Sequence, residues 1–428
     1  MYHKPEILAP AGSLAHLKIA AAYGADAVYA GIPRWSLRVR GNGFTPQDFA
    51  TGIEHMHARG KKFFAVLNII PHMRRVGAFK SALDEVAALK PDALIMADPG
   101  LIMQAREAYP DIPIHLSVQA NTVNADTVKF WQKIGLKRCI LARELTLTEI
   151  ALIREACPDM ELEIFVHGAL CIAVSGRCLI SGLLARRDAN VGACTNSCRW
   201  GYKVKSLSVE LEEAENRPGE FMELYEDEHG SFLFNSKDLC ALPLLPQILK
   251  LNLDSLKIEG RSRSPFYCAA ICRAYRLAVD ALMQGEPIPQ ESFTLVNAIP
   301  SRDYTTGLLV PKRADEAQQY ETNCPHPGKW LVVGAVSAPQ NGRIAVRVKN
   351  KFTCDDNLAL FTPQGLISLD AHSMQTLDGK DCALAPGDGH HVSLKCDANF
   401  DPSLTFLIKI APDMSAPLPD INARTVTN

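Results

Sequence analysis

Short apolar or β-branched runs ending on glycine or a polar residue recur along the N-terminal part of the chain, with amphipathic stretches between them. The runs are EILAPAG from Glu6, AVYAGI from Ala27, FFAVLN from Phe63, ALIMAD from Ala93, IHLSVQAN from Ile114, RCILAREL from Arg138, LEIFVHG from Leu162 and SLKIEGR from Ser255. Runs of this kind read as buried strands. The segments between them, such as Ser13 to Tyr23, Thr45 to Arg59 and Ala78 to Ala88, suit single helices. Alternating strand and helix predicts a parallel sheet, and eight such runs predict closure into a (β/α)8 TIM-type barrel. A doubly wound open sheet is the alternative, but the first strand-to-helix turn, APAGS, lacks the glycine-rich dinucleotide fingerprint.

The spacing breaks once. About ninety residues separate the seventh run from the eighth, so the barrel carries a cysteine-rich insertion over about residues 168–252. Loops that follow barrel strands lie on the face where barrel chemistry occurs, which puts the insertion over the mouth of the site. The barrel domain then spans 1–285, closed by the amphipathic stretch PFYCAAICRAYRLAVDALMQG, and a polar, proline-containing linker is expected over 286–328. Over 329–411 the pattern changes to short alternating runs, KWLVVGAVSA, GRIAVRVKN, DNLALFT, GLISLDA and HHVSLKC, separated by Asn-Gly, Gly and Asp. That predicts a small C-terminal antiparallel β-barrel domain, followed by a loose tail over 412–428.

A charged fraction of 21% and a hydrophobic fraction of 47% describe a globular chain, neither disordered nor membrane-embedded. No apolar run approaches the length that spans a bilayer, and MYHKPEILAPAG has no apolar leader core, so a cytoplasmic location is expected. In that reducing compartment clustered cysteines read as metal ligands or redox thiols. The net charge of −2 argues against a general preference for nucleic acid, yet charge is unevenly placed. Arg186 to Lys205 holds five basic residues and one acid, whereas Glu210 to Glu228 holds nine acids and one arginine.

In a barrel the strand ends point into the site. Here they supply Tyr29, Asn68, Asp98, Gln119, Asn121, Arg143, Glu144, His167, Lys257, Glu259 and Arg261. Strand alternation turns Lys257, Glu259 and Arg261 to one side, where two cations and an acid suit an anionic substrate or, alternatively, form a stabilising ion pair. His167, Glu144, Lys257 and Glu259 are the candidates for catalysis, and Arg143, Arg261, Asn68, Gln119 and Asn121 those for substrate binding.

Cys171, Cys178, Cys194 and Cys198 fall within twenty-eight residues, and Cys240 follows in NSKDLC. No C-x-x-C knuckle of a zinc ribbon is present, and the C-x-x-x-C-x-x-C of radical enzymes fails at Gly201. An iron–sulfur cluster tolerates irregular spacing because its thiolates need only converge in space. Zinc and unliganded redox thiols are the alternatives.

EIFVHGALCIAVSGRCLIS is similar to the signature of peptidase family U32, the collagenase-like proteins, and EILAPAG and DSLKIEGR resemble the barrel ends of that family. The likeness covers nearly the whole chain. CTNSCRWGYK together with NSKDLC looks most like the branch that hydroxylates tRNA. The resemblance implies a [4Fe–4S] cluster on Cys171, Cys178, Cys194 and Cys240, with Cys198 competing for the place of Cys194. It also implies oxygen-independent formation of 5-hydroxyuridine at the wobble position, with prephenate as the hydroxyl source. Lys257, Arg261 and Arg143 would meet such a dicarboxylate. Arg186, Arg187, Arg199, Lys203 and Lys205, with Trp200 and Tyr202 to stack on unpaired bases, would hold an anticodon loop of tRNA. Packing of this basic stretch on the acidic one is the plainer alternative. Iron–sulfur assembly proteins are further expected partners. Two other readings stand beside this one: a collagenase-like peptidase, although neither HExxH nor GxSxG occurs, and a noncatalytic RNA-binding accessory protein with a structural metal.

Overall fold

The computed structural model describes residues 3–37, 43–171, 173–174, 194–195, 236–310 and 328–412, together with short strand segments between 210 and 231. All eight expected runs form strands. β1 (Glu6–Ala11), β2 (Ala27–Gly31), β3 (Lys62–Leu67), β4 (Ala93–Met96), β5 (Ile114–Leu116), β6 (Arg138–Ile140) and β7 (Glu161–Ala169) pair in parallel and in sequence order. The eighth barrel strand, Ser255–Ile258, pairs in parallel with both β7 and β1 and closes the ring. Helices cover the outside while side chains fill the inside, so the strands read as continuous apolar runs.

The helices start where the sequence caps them. Thr45 and Thr146 form capping boxes with Asp48 and Glu149. Ser13, Asp98, Asn124 and Ser264 each accept the backbone N–H three residues ahead. Asp98, which sequence position alone makes a candidate site residue, is thereby a helix cap, a role with a typical value of about 1 kcal/mol.

A short rim strand, Asp238–Cys240, runs antiparallel to the end of β7, setting Asp238 opposite Ala169, Leu239 opposite Gly168 and Cys240 opposite His167. Its anchor is the buried Asp238 carboxylate, which accepts from Arg263 at 2.8 Å and from Arg302. The first half of the stretch expected as a linker is instead part of the barrel body. Helix Gln290–Ala298 buries Ser292, Leu295, Val296 and Ala298 and lies against helix Pro265–Met283, and Tyr304–Thr305 pairs with the rim strand. Its few apolar positions fall on one face, which suffices for docking although it makes the segment look polar. Residues 311–327 lie outside the described residues.

The C-terminal domain is one seven-stranded antiparallel sheet from Trp330 to Ile410, curled as a half-barrel over its own core of Val333, Ile344, Val346, Phe352, Leu360, Leu394 and Leu407. An aromatic cluster of Tyr23, Phe266, Trp330, Phe361 and Phe406 joins it to the barrel. Among the described residues no helix is long and apolar enough to cross a membrane. The tail expected over 412–428 lies outside the described residues from position 413.

Candidate active site at the barrel mouth

The lower interior of the barrel is ionic. Arg138 on β6 donates to Glu6 at 2.9 Å, to Glu161 at 2.9 Å and to Glu163 at 3.1 Å. The second oxygen of Glu163 accepts from Lys257 at 2.7 Å. Glu163 is fully buried, and burial alone would raise its pKa; Lys257 and Arg138 outweigh that and hold the carboxyl below its usual range. The ion-pair reading of Lys257 is therefore realised, with a partner the strand-end survey overlooked. Counting back by two from Phe165 along β7 would have found it, because Glu161, Glu163 and Phe165 share the inward face.

Above this ladder opens a cleft of about 490 Å³, its open mouth included, lined by Tyr29, Asn68, Gln119, Arg143, Lys257, Glu259 and Arg261 among others. Tyr29 and Phe165 form an aromatic floor for its cations. Arg143 stacks 3.8 Å from the Phe165 ring and donates to the Ala169 carbonyl at 2.8 Å. The Lys257 ammonium sits 4.4 Å from the Tyr29 ring, and the Arg261 guanidinium lies 5.8 Å from the same ring and donates to Ser36. Gly31 makes room for it, since a β-carbon there would lie 2.3 Å from Arg261 Nη1. On the opposite wall Asn68 donates to Ser117 at 3.1 Å and to Gln119 at 3.0 Å, and its carbonyl oxygen accepts the Leu37 N–H. The cations grouped in this polar cleft suit an anionic group. Among the described residues, neither histidine nor cysteine lines it.

His167 departs from expectation. Lys257 pairs with Phe165, but Ile258 pairs with His167, so Val166 is an extra residue in β7. This β-bulge turns His167 away from the mouth and into a buried tyrosine cage. Its ring lies 5.6 Å from Tyr275, 5.5 Å from Tyr304 and 6.0 Å from Tyr267. Burial, aided by the nearby Arg263 charge, lowers its pKa to about 3, so the imidazole is neutral. Cys240 faces the same cage. Its thiol is pushed up to about 11 by burial, which the Leu242 backbone and the Tyr275 hydroxyl only partly oppose; that hydroxyl donates to the Val166 carbonyl at 2.7 Å. A thiol buried this fully stays protonated at neutral pH and is no reactive nucleophile.

Two models of known families match the chain. The model described as peptidase family U32 covers residues 12–319, and the one described as the C-terminal domain of that family covers 329–404. The chain belongs to peptidase family U32. Among its relatives, "tRNA hydroxylation protein P" of Escherichia coli is 45% identical over 439 aligned positions, covering 95% of this chain and 97% of that protein. The Haemophilus influenzae protein of the same name is 44% identical, covering 95% and 96%. "Collagenase" of Porphyromonas gingivalis is 32% identical over a shorter stretch, 65% of this chain and 66% of that protein.

In this U32 chain the remaining expected residues scatter. Glu259 and Arg261 follow the closing strand into the cleft. Glu144 is half-buried just beyond β6, outside the residues that line the cleft. Asn121 adopts a left-handed conformation, φ 56°, at the end of a short 3-10 turn and likewise does not line the cleft. Cys171 is exposed two residues beyond β7 and Cys194 is half-buried. Cys178 and Cys198 lie outside the described residues, as do Arg186, Arg187, Arg199, Trp200, Tyr202, Lys203 and Lys205.

Proposed function

We propose that this protein hydroxylates tRNA without oxygen, forming 5-hydroxyuridine at the wobble position. In this reading prephenate supplies the hydroxyl group, and a [4Fe–4S] cluster is held by Cys171, Cys178, Cys194 and Cys240. The observation that carries the reading is the cleft itself: Arg143 and Arg261 over an aromatic floor, with Asn68 and Gln119 opposite. End-to-end similarity to proteins named for tRNA hydroxylation supports the choice of substrate.

A dicarboxylate would be held by the two guanidinium groups at the mouth, above the buried Lys257–Glu163 pair. Lys257 then acts mainly by adding positive potential beneath the floor. Asn68 and Gln119 would orient hydroxyl or carbonyl groups of the bound acid, and Glu259 is the carboxylate placed to take up a proton at the mouth. Cys240, fixed by the rim strand opposite His167, would be the buried ligand of the metal centre. When bound, such a cluster supplies one-electron redox chemistry or a Lewis-acid iron. On sequence grounds, Arg186, Arg187, Arg199, Trp200 and Lys203 would meet the anticodon loop.

Anaerobically purified protein should contain about four irons per chain, and Cys240→Ala should lose them. Incubated with prephenate and tRNA from a strain lacking the modification, the protein should yield 5-hydroxyuridine by nucleoside mass spectrometry. Iron-loaded protein that leaves tRNA unchanged would overturn the reading. Peptide cleavage abolished by Arg143→Ala or Glu259→Gln would replace it with a peptidase.

A further inference from the structure

The C-terminal half-barrel carries a cluster of ligating side chains that plays no part in the barrel site. Cys354, Asp355 and His372 each bring one ligand atom within 4.8 Å of the other two. They come from distant segments. Cys354 and Asp355 follow the two-residue strand Phe352–Thr353, and His372 sits in the 3-10 turn Ala371–Ser373.

A fourth donor arrives from a third segment. Thr353 pairs with Leu384 in antiparallel fashion, and the Cys354 N–H donates to the Ala383 carbonyl at 3.0 Å. Cys382 directly precedes Ala383, so its backbone stands beside that of Cys354. The Cys382 N–H in turn donates to the Met374 carbonyl at 3.1 Å, two residues beyond His372.

The backbone holding these groups is fixed. Phe352, Met374 and Ala385, which flank the ligating positions, are all fully buried in the core of this domain. Both cysteines are half-buried, whereas Asp355 and His372 face solvent, so an ion could enter without opening the fold. Two thiolates, an imidazole and a carboxylate form the donor set of a tetrahedral zinc site: soft enough to favour zinc over magnesium or calcium, and filled by four protein ligands.

We propose that Cys354, Cys382, His372 and Asp355 form a structural zinc site that pins three connections of the C-terminal domain together. It is independent of the cysteines at the barrel mouth and of the proposed reaction. On binding, the ion displaces protons from the two thiols, and no redox change occurs.

The test uses the full-length protein, purified under reducing conditions, loaded with zinc chloride and desalted. Zinc and iron are measured separately, and each cysteine is mapped by alkylation with peptide mass spectrometry. The expected result is about one zinc per chain, with Cys354 and Cys382 shielded from alkylation until a chelator removes the metal. Cys354→Ser, His372→Ala and the surface change Asp355→Asn should each lower zinc retention without altering iron content. The proposal is overturned if Cys354 and Cys382 alkylate equally with and without zinc, or if the variants retain as much zinc as the parent. A Cys354–Cys382 disulfide in the reduced and zinc-loaded protein would overturn it as well.

Discussion

Glu163 and Lys257 meet at 2.7 Å inside the barrel, with both side chains almost wholly shut off from solvent. Removing one charge strands the other in a low-dielectric interior, which typically costs about 3–5 kcal/mol. Glu163→Gln should therefore shift the urea unfolding midpoint of the full chain markedly downwards. A paired replacement of Glu163 and Lys257 by methionine should recover much of that loss. A single variant that unfolds at the parental urea concentration would show that the pair adds nothing to stability.

Buried groups give stability an acid dependence in two windows, with His115 and His167 acting in the upper one and Glu163 in the lower. Burial, with the charges of Arg138 and Lys257, holds His115 well below its ordinary 6.5. The unfolded chain takes up a proton below that pH and the folded chain does not, so stability is full above 6.5 and declines as pH falls below it. The slope can reach about 1.4 kcal/mol per pH unit. Glu163 is held below its ordinary 4.5 because Lys257 and Arg138 outweigh the effect of burial, so its contribution is present above 4.5 and lost as pH falls through its lower folded value. Unfolding midpoints measured against pH should thus fall in two stages. His115→Phe should shrink the first, which His167 shares, and leave the second.

Much of this arrangement is legible in the sequence, and what escapes has identifiable causes. Strand periodicity and run length locate all eight barrel strands because each is an unbroken apolar run, the form a doubly covered parallel sheet requires. The same reasoning places Lys257, Glu259 and Arg261 on the inward face. It fails at His167 because a bulge adds one residue to β7 and inverts the alternation, and nothing in FVHGA announces it except Gly168, whose φ of 113° permits the distorted exit. It also misses Glu163, a charge in the midst of an apolar strand, which makes sense only once Arg138 and Lys257 are known to be its neighbours. Partners so far apart along the chain are matters of tertiary structure.

Tyr23 joins the two domains. Its hydroxyl lies 2.9 Å from the Phe361 carbonyl oxygen and 2.8 Å from that of Leu404, at the centre of the aromatic contact between barrel and C-terminal sheet. Tyr23→Phe keeps the ring and removes the donor, leaving buried carbonyls without it at a cost of about 1–3 kcal/mol. Calorimetry should show the two domains unfolding further apart in temperature, the C-terminal one first because its core is smaller. An unchanged single transition would mean that ring packing alone couples them.

Arg143 offers the sharpest separation of binding from structure. Its guanidinium carbon lies 3.8 Å from the centre of the Phe165 ring while one nitrogen donates to the Ala169 carbonyl, two contacts that lysine cannot reproduce together. Arg143→Lys retains the charge and the fold but loses the planar fork. Under the proposed reaction this should raise the KM for the anionic co-substrate by roughly 10–100-fold, the equivalent of ~1.5–3 kcal/mol for a charged hydrogen bond. Iron content and unfolding midpoint should stay at parental values, and the KM for tRNA should change little. If both KM values rise together, Arg143 shapes the whole mouth; if neither moves, the anion binds elsewhere.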